Sequence, residues 1–273
     1  MLQIKEPSFV TIRGRKIAYS EVCPPNPKGT ILLLTGLASK RIGWYSQLEE
    51  FGRYYRTIAL DNRDAGDSET SNTPYSIAEL ADDVAAALTA LGVERTNVVG
   101  ISMGGFISLE LVLRHPQLVE KLVLVSTSAG GLTNIPASPR LWPTMLRRQN
   151  LEVGAMARKI YTEIMGPGYA AAHPQVMEDI VKIARYRPMS KEAYSRQLRA
   201  CLTHNASNRL SQVRVPTLVI HGNRDPLVPF GNGLRLARRI PGARLLVYEG
   251  VGHIPIIEQA ERFNRDVLNF LGN

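Results

Sequence analysis

Short apolar runs punctuate the chain, and several show no polar alternation at all. Ile31-Leu32-Leu33-Leu34 and Leu122-Val123-Leu124-Val125 are apolar at every position. A strand with one wet face alternates, so an unbroken apolar run of this length predicts a strand covered on both faces, as in a parallel sheet sheathed by helices. Candidate strands fall at 16–22, 30–35, 56–60, 97–101, 121–126, 216–221 and 244–248. Another near 8–13 is expected to pair with 16–22 as a hairpin, because Arg13-Gly14-Arg15 supplies a turn.

Helical periods lie between these runs. Across 76–91, Ile77, Leu80, Ala81, Val84, Leu88 and Leu91 recur at steps of one, three or four, which predicts a helix burying one face. Ser76 with Glu79 makes a capping box for its first amides, and Gly92 supplies the stop. The last helix, about 257–271, puts Ile257, Ala260, Phe263, Val267, Phe270 and Leu271 on one side.

The alternation of strand and helix breaks after Ser128. Residues 129–207 hold Gly130-Gly131, Pro136, Pro139, Pro143, Gly166-Pro167-Gly168, Pro174 and Pro188, with short helical patterns and no convincing strand between them. Strand-like sequence returns at Val215-Pro216-Thr217-Leu218-Val219-Ile220. The expected architecture is α/β: residues 1–128 and 208–273 form a core with a mostly parallel central sheet and helices on both faces, and 129–207 form a helical cap inserted into it.

Composition narrows this only modestly. Apolar residues make up 44% and charged residues 21% of 273 positions, ordinary values for a globular chain. No apolar run approaches the roughly 20 residues that span a bilayer, and the first residues carry no signal-peptide core, so a cytoplasmic protein without a membrane partner is expected. The net charge of +9 is uneven: 129–207 hold eleven basic residues against five acidic ones. No nucleic-acid-binding signature accompanies them, so a solvated helical face is expected rather than a nucleic-acid partner. Attraction of an anionic substrate to the site mouth is the other use of such a charge. Cys23 and Cys201 have no disulfide or metal spacing. Neither a nucleotide motif nor a metal-ligand cluster is present, and no cofactor is expected.

The chemistry centres on Ser102. Asn97-Val98-Val99-Gly100-Ile101 runs straight into Ser102-Met103-Gly104-Gly105 and then into a helical segment, so Gly100 to Gly104 match G-x-S-x-G in a strand–turn–helix setting. Such a turn lifts the hydroxyl clear of the sheet, and the new helix aims free amides at developing negative charge. A serine needs a base. His253, in Gly250-Val251-Gly252-His253-Ile254-Pro255, follows the last strand and precedes the last helix. His115, His173, His204 and His221 sit at a helix end, in the insertion and at a strand end. The base needs an orienting carboxylate. Asp225 follows strand 216–221, and the order Ser102, Asp225, His253 is the one expected with this motif. The loop after the strand following Ser102 reads Ser126-Thr127-Ser128 and offers no rival acid. The backbone amides of Met103 and Leu37 are the expected oxyanion donors.

Together these residues resemble the α/β-hydrolase superfamily over nearly the whole chain. Asp61-Asn62-Arg63-Asp64-Ala65-Gly66-Asp67-Ser68 resembles its D-x-R-x-x-G-x-S segment, and Arg114-His115-Pro116, Pro216 to Pro229 and Gly250 to His253 follow its pattern in order. The nearest resemblance is to enol-lactonases, methyl esterases and meta-cleavage-product hydrolases, in which residues 129–207 would cap the active site. Where that family has His-Gly after the third strand, this chain has Thr35-Gly36. Asp61, Arg63 and Asp64 are expected to be a structural loop network.

Three functions stay open at this level. The first is hydrolysis of a small-molecule carboxylic ester or lactone through an acyl-enzyme on Ser102. The second is hydrolysis of a carbon–carbon bond in a diketone-like substrate by the same triad. The third is a small-molecule receptor on a hydrolase fold. Trp142, Met145 and Tyr161 are candidate pocket residues in the cap. Oligomeric state leaves no signature.

Overall fold

The computed structural model describes residue 4 and residues 6–141, 143–144 and 151–272. Eight strands form one sheet in the order β1-β2-β4-β3-β5-β6-β7-β8. They are β1 (Ser8–Ile12), β2 (Arg15–Val22), β3 (Thr30–Leu34), β4 (Arg56–Leu60), β5 (Thr96–Ile101), β6 (Val119–Val125), β7 (Thr217–Gly222) and β8 (Arg244–Tyr248). The first two make the expected antiparallel hairpin, β2 joins β4 antiparallel, and every pairing from β4 to β8 is parallel.

The apolar runs behave as two interleaved sets. Leu32, Leu34, Val98, Leu122 and Leu124 pack on one face with Ile77, Leu80 and Leu88 of helix α2 (Ile77–Ala90) and Ile107 and Leu111 of helix α3 (Met103–Arg114). Their neighbours Ile31, Leu33, Val99 and Val123 pack on the other face with Leu48 and Phe51 of helix α1 (Tyr45–Phe51) and with Phe263 and Val267 of the last helix. Successive side chains of a strand point to opposite faces, so covering both faces demands that both sets be apolar.

Ser76 caps α2 with the full capping box, and Gly92 follows the helix at φ 67°. The expected last helix is divided. A single turn, Pro255–Glu258, is separated from Ala260–Gly272 by Gln259, which leaves the helical region at φ −138°, ψ 50°. The apolar stripe continues across this break, so periodicity alone does not reveal it.

Between β6 and β7 the structure contains helices Val153–Ile164, Pro174–Arg185 and Lys191–Thr203 and no named strand among the described residues. These helices meet the loops at the carboxyl ends of the parallel strands.

Candidate active site

Ser102 closes β5 and precedes α3, with φ 56° and ψ −120°. A non-glycine residue rarely adopts such a conformation and persists there only when its surroundings dictate it. Here the Ser102 amide donates to Val125 O (3.0 Å), and Thr127 Oγ1 donates to the Ser102 carbonyl (2.8 Å). Glycine is required on either side. A side chain at Gly100 would collide with Ser108 and the Gly104 carbonyl, and one at Gly104 with the Leu34 carbonyl.

Asp225 sits in the loop after β7 and is buried. Its Oδ1 accepts the amides of Leu227 and Val228, both at 2.9 Å, which fixes the carboxylate before any partner arrives. Its Oδ2 lies 2.8 Å from Nδ1 of His253. Burial pushes the Asp225 carboxyl upward, but attraction to His253 and hydrogen bonds from His221 and His253 outweigh it and hold it below the usual carboxylate range. An ionised carboxylate only accepts, so Nδ1 of His253 donates, and in the neutral ring Nε2 carries the lone pair. That is the tautomer a general base needs. Among the described residues no hydrogen bond joins Ser102 Oγ to His253, a contact that commonly tightens only with substrate bound.

Two further residues support this pair, and sequence reading missed both roles. His221 is fully buried, with Nε2 donating to Val228 O (2.7 Å) and lying 3.4 Å from Asp225 Oδ2. Glu258 turns back from the short Pro255–Glu258 turn. Its carboxylate accepts the amides of Gly252 (3.0 Å) and Ile254 (3.1 Å), on either side of His253, and that of Gly166 (2.7 Å) in the inserted segment. Burial raises the Glu258 carboxyl against these three donors. The signal for it was an acid inside the apolar stripe of the last helix.

The loop after β3 runs past Ser102. Thr35, where the resembling family has histidine, is buried and accepts a hydrogen bond from Asn62 Nδ2 through Oγ1 (3.3 Å). Ser39 N donates to Gly36 O (3.1 Å), closing a turn in which Ala38 has φ 57°. No hydrogen-bond partner for the Leu37 amide is seen among the described residues, and the Met103 amide, at the first residue of α3, has no acceptor within its own helix.

The acid loop following β4 is a network that fastens the insertion to the core. Asp61 is wholly buried and accepts the Arg41 amide (2.7 Å) and guanidinium (2.6 Å). Arg63 pairs with Asp83 (2.6 Å). Asp64 receives both Nε and Nη2 of Arg196 at 2.9 Å, with Tyr75 Oη and the Ser71 amide at 2.7 Å. Asp67 receives Arg41 (2.7 Å), Tyr186 Oη (2.8 Å) and Arg187 (3.1 Å). Part of the basic excess of 129–207 therefore answers acids of the core. Arg158 and Arg185 instead pair with Glu178 and Glu152 inside the insertion.

Tyr161 is half-buried and packs against two apolar clusters, one of the sheet and one within the insertion. Trp142 and Met145 lie outside the described residues. A surface cleft of about 360 Å³ between Gly166–Tyr169 and the 249–259 loop, and a groove of about 490 Å³ between α1 and the last helix, do not include Ser102. Among the described residues no His, Cys, Asp and Glu cluster suits a metal ion, and no helix is long and apolar enough to cross a membrane.

A mostly parallel sheet with a strained serine turn at its centre defines the alpha/beta hydrolase class of protein. A family model for the alpha/beta hydrolase fold matches residues 29–260, and the chain belongs to that family. It is 30% identical to a protein of Caulobacter sp. strain K31 named as carbamate hydrolase RutD, over 91% of this chain and 92% of that one. It is 30% identical to a 2-hydroxy-6-oxononadienedioate/2-hydroxy-6-oxononatrienedioate hydrolase of Paraburkholderia phymatum, over 90% and 88%. Among solved structures, the enol-lactonase of Burkholderia xenovorans LB400 superposes with a TM-score of 0.86 at 26% identity, covering 97% of this chain and all of that one. These similarities support a hydrolase.

Proposed function

We propose that this hydrolase cleaves a small-molecule carboxylic ester or lactone through an acyl-enzyme on Ser102. The observation that carries the reading is the buried 2.8 Å hydrogen bond between Asp225 and His253, which directs Nδ1 to the carboxylate and makes Nε2 the basic atom of the neutral imidazole.

Ser102 Oγ attacks the carbonyl carbon while His253 Nε2 takes its proton. Asp225 holds the ring and stabilises its charged form. The Leu37 and Met103 amides receive the negative oxygen of the tetrahedral intermediate. Collapse expels the alcohol, which takes the proton from His253. For a lactone the alcohol stays tethered to the acyl group. Water, deprotonated by His253, then attacks the acyl-enzyme, and the acid and free Ser102 are regenerated. Residues 129–207 act as a lid over this site, with Tyr161 on its inner side.

The test is turnover of p-nitrophenyl esters and simple lactones by the wild type and Ser102→Ala. The variant is expected to lose at least about 10⁴-fold in kcat. Undiminished turnover removes Ser102 from the mechanism. A dienoate ring-cleavage product and an N-carboxylated substrate belong in the same panel, because the two curated relatives are named for such reactions. A kcat/KM for either above that for every ester and lactone overturns the choice of bond while leaving the triad in place.

A further inference from the structure

The turn bearing the Leu37 amide is gripped from the insertion by Gln197. It lies on helix Lys191–Thr203 and is fully buried. Its Oε1 accepts the Ala38 amide at 3.0 Å, and its Nε2 donates to Arg63 O at 2.9 Å. Both partners are main-chain groups of fixed polarity, so the orientation of the side-chain amide is determined.

What Gln197 grips is the movable part of the turn. Residues 36–39 form a β-turn closed by Ser39 N and Gly36 O, with positive φ at its third residue, Ala38, and not at Leu37. That is a type II turn, whose third position ordinarily takes glycine. An alanine there is strained. Rotating the peptide between Leu37 and Ala38 converts a type II turn into a type I turn and relieves the strain. The N–H that would swing away in that rotation is the one Gln197 accepts. The turn lies against the nucleophile, since a Cβ on Gly36 would come within 3.2 Å of Ser102 Cβ. The Gly36 carbonyl points into the turn, so the Leu37 N–H, on the same trans peptide, points out of it.

We infer that Gln197 is a positioning residue for the oxyanion hole: docking of the inserted helix locks the strained turn that presents the Leu37 amide. Docking of the insertion and completion of the catalytic site are then one event. This rests on the Ser102 reading above. The loop begins with Thr35 in place of a histidine; Asn62 ties down its start and Gln197 its middle.

The experiment compares kcat and KM for a p-nitrophenyl ester in Gln197→Leu, Arg196→Ala and the double variant Ala38→Gly/Gln197→Leu, per site titrated with a fluorophosphonate. Arg196 is the adjacent tie to Asp64 and does not touch Ala38. Gln197→Leu is expected to lower kcat by about 10- to 100-fold, short of the roughly 10²–10³ for deleting an oxyanion donor, with the pH profile of kcat/KM unmoved. Affinity for a trifluoromethyl ketone should fall in parallel, and affinity for the product acid should not. Ala38→Gly should restore at least several-fold in the Gln197→Leu background, because glycine adopts positive φ without strain. Absence of rescue, or an equal loss of kcat in Arg196→Ala, overturns the inference and leaves Gln197 as general packing. If Gln197→Leu does not fold, Gln197→Met removes the same acceptor for Ala38 with a flexible unbranched side chain. It should show the same fall in kcat, and an unimpaired kcat overturns the assignment. Ser102→Ala measured alongside separates the two readings. Its retained activity would sink the triad, whereas its inactivity beside an unimpaired Gln197→Leu would sink only this inference.

Discussion

Two of the places where the insertion is fastened to the core are built from different chemistry. At the histidine end each tie has a main-chain group on at least one side, and none is an ion pair. His253 N donates to Ile164 O (2.8 Å), Gly166 N to Glu258 (2.7 Å), and Tyr169 Oη to Ile257 O (3.2 Å). At the acid-loop end they run mainly through charged side chains: Arg196 on Asp64, Tyr186 and Arg187 on Asp67, and Lys40 Nζ on the carbonyls of Ile183 (3.1 Å) and Ala184 (3.3 Å). Hydrogen bonds to main-chain groups depend little on salt, whereas partly exposed ion pairs are screened by it. The histidine end is therefore expected to hold, and the acid-loop end to yield first as salt is added. The same division separates the parts of the proposed mechanism. The Asp225–His253 pair belongs to the end expected to hold and the Leu37 turn to the end expected to yield.

The most damaging change at the histidine end is Glu258→Ala. It strands three buried amides at once, and each unpaired donor costs about 1–3 kcal/mol. We expect a loss of roughly 3–5 kcal/mol in urea denaturation, with kcat at least tenfold down because both peptides flanking His253 are released. A loss under about 1 kcal/mol would show that this end does not hold as expected.

At the other end, Arg196→Ala leaves Asp64 buried with only Tyr75 and Ser71 as donors. It should cost about 2 kcal/mol and raise KM more than it lowers kcat. Burial raises the Asp64 carboxyl, but Arg196, Ser71 and Tyr75 together bring it below the usual carboxylate value. The contribution of the tie is present above that ordinary value and is lost as pH falls through the folded one. The stability gap between wild type and Arg196→Ala should accordingly close below about pH 4. A gap constant down to pH 2 would contradict the pairing.

Lys40 gives the same direction of trend in alkali. Burial lowers it from 10.5 to about 8 against the pull of Asp61 and Asp67. Between those values the unfolded chain holds the extra proton, so stability from this group rises with pH. Relative to Lys40→Met, the wild type should gain in melting temperature from pH 8 to pH 10; a decline would place the Lys40 charge in a favourable site instead. The smallest effect belongs to Arg187→Ala. Its side chain is 68% exposed, and the change should stay within about 0.5 kcal/mol, however short the ion pair.

Much of this molecule was written in local sequence. Ile31 to Leu34 and Leu122 to Val125 require a covered strand wherever they are placed, and Ser76, Glu79 and Gly92 mark the ends of α2 by chemistry confined to a few neighbouring residues. The glycines around Ser102 mark its turn for the same reason, since the clash they avoid is with adjacent backbone. Even Asp225 and His253 could be nominated, because each sits in a loop directly after an apolar strand. The break at Gln259 was not legible, as the stripe of Phe263, Val267 and Phe270 keeps its period whether or not one residue before it leaves the helix. Nor were the partners of the charges. Arg196 meets Asp64 across 132 positions and Gln197 meets Ala38 across 159, and no periodicity relates residues so far apart. The sequence by itself determined the strands, their enclosing helices and the turn that exposes Ser102, because those follow from sterics and burial over a few residues. Only the tertiary structure decided which acid each arginine answers, where the insertion is fastened, and what holds the strained Ala38 turn. Those depend on chain segments far apart in sequence that the fold brings together.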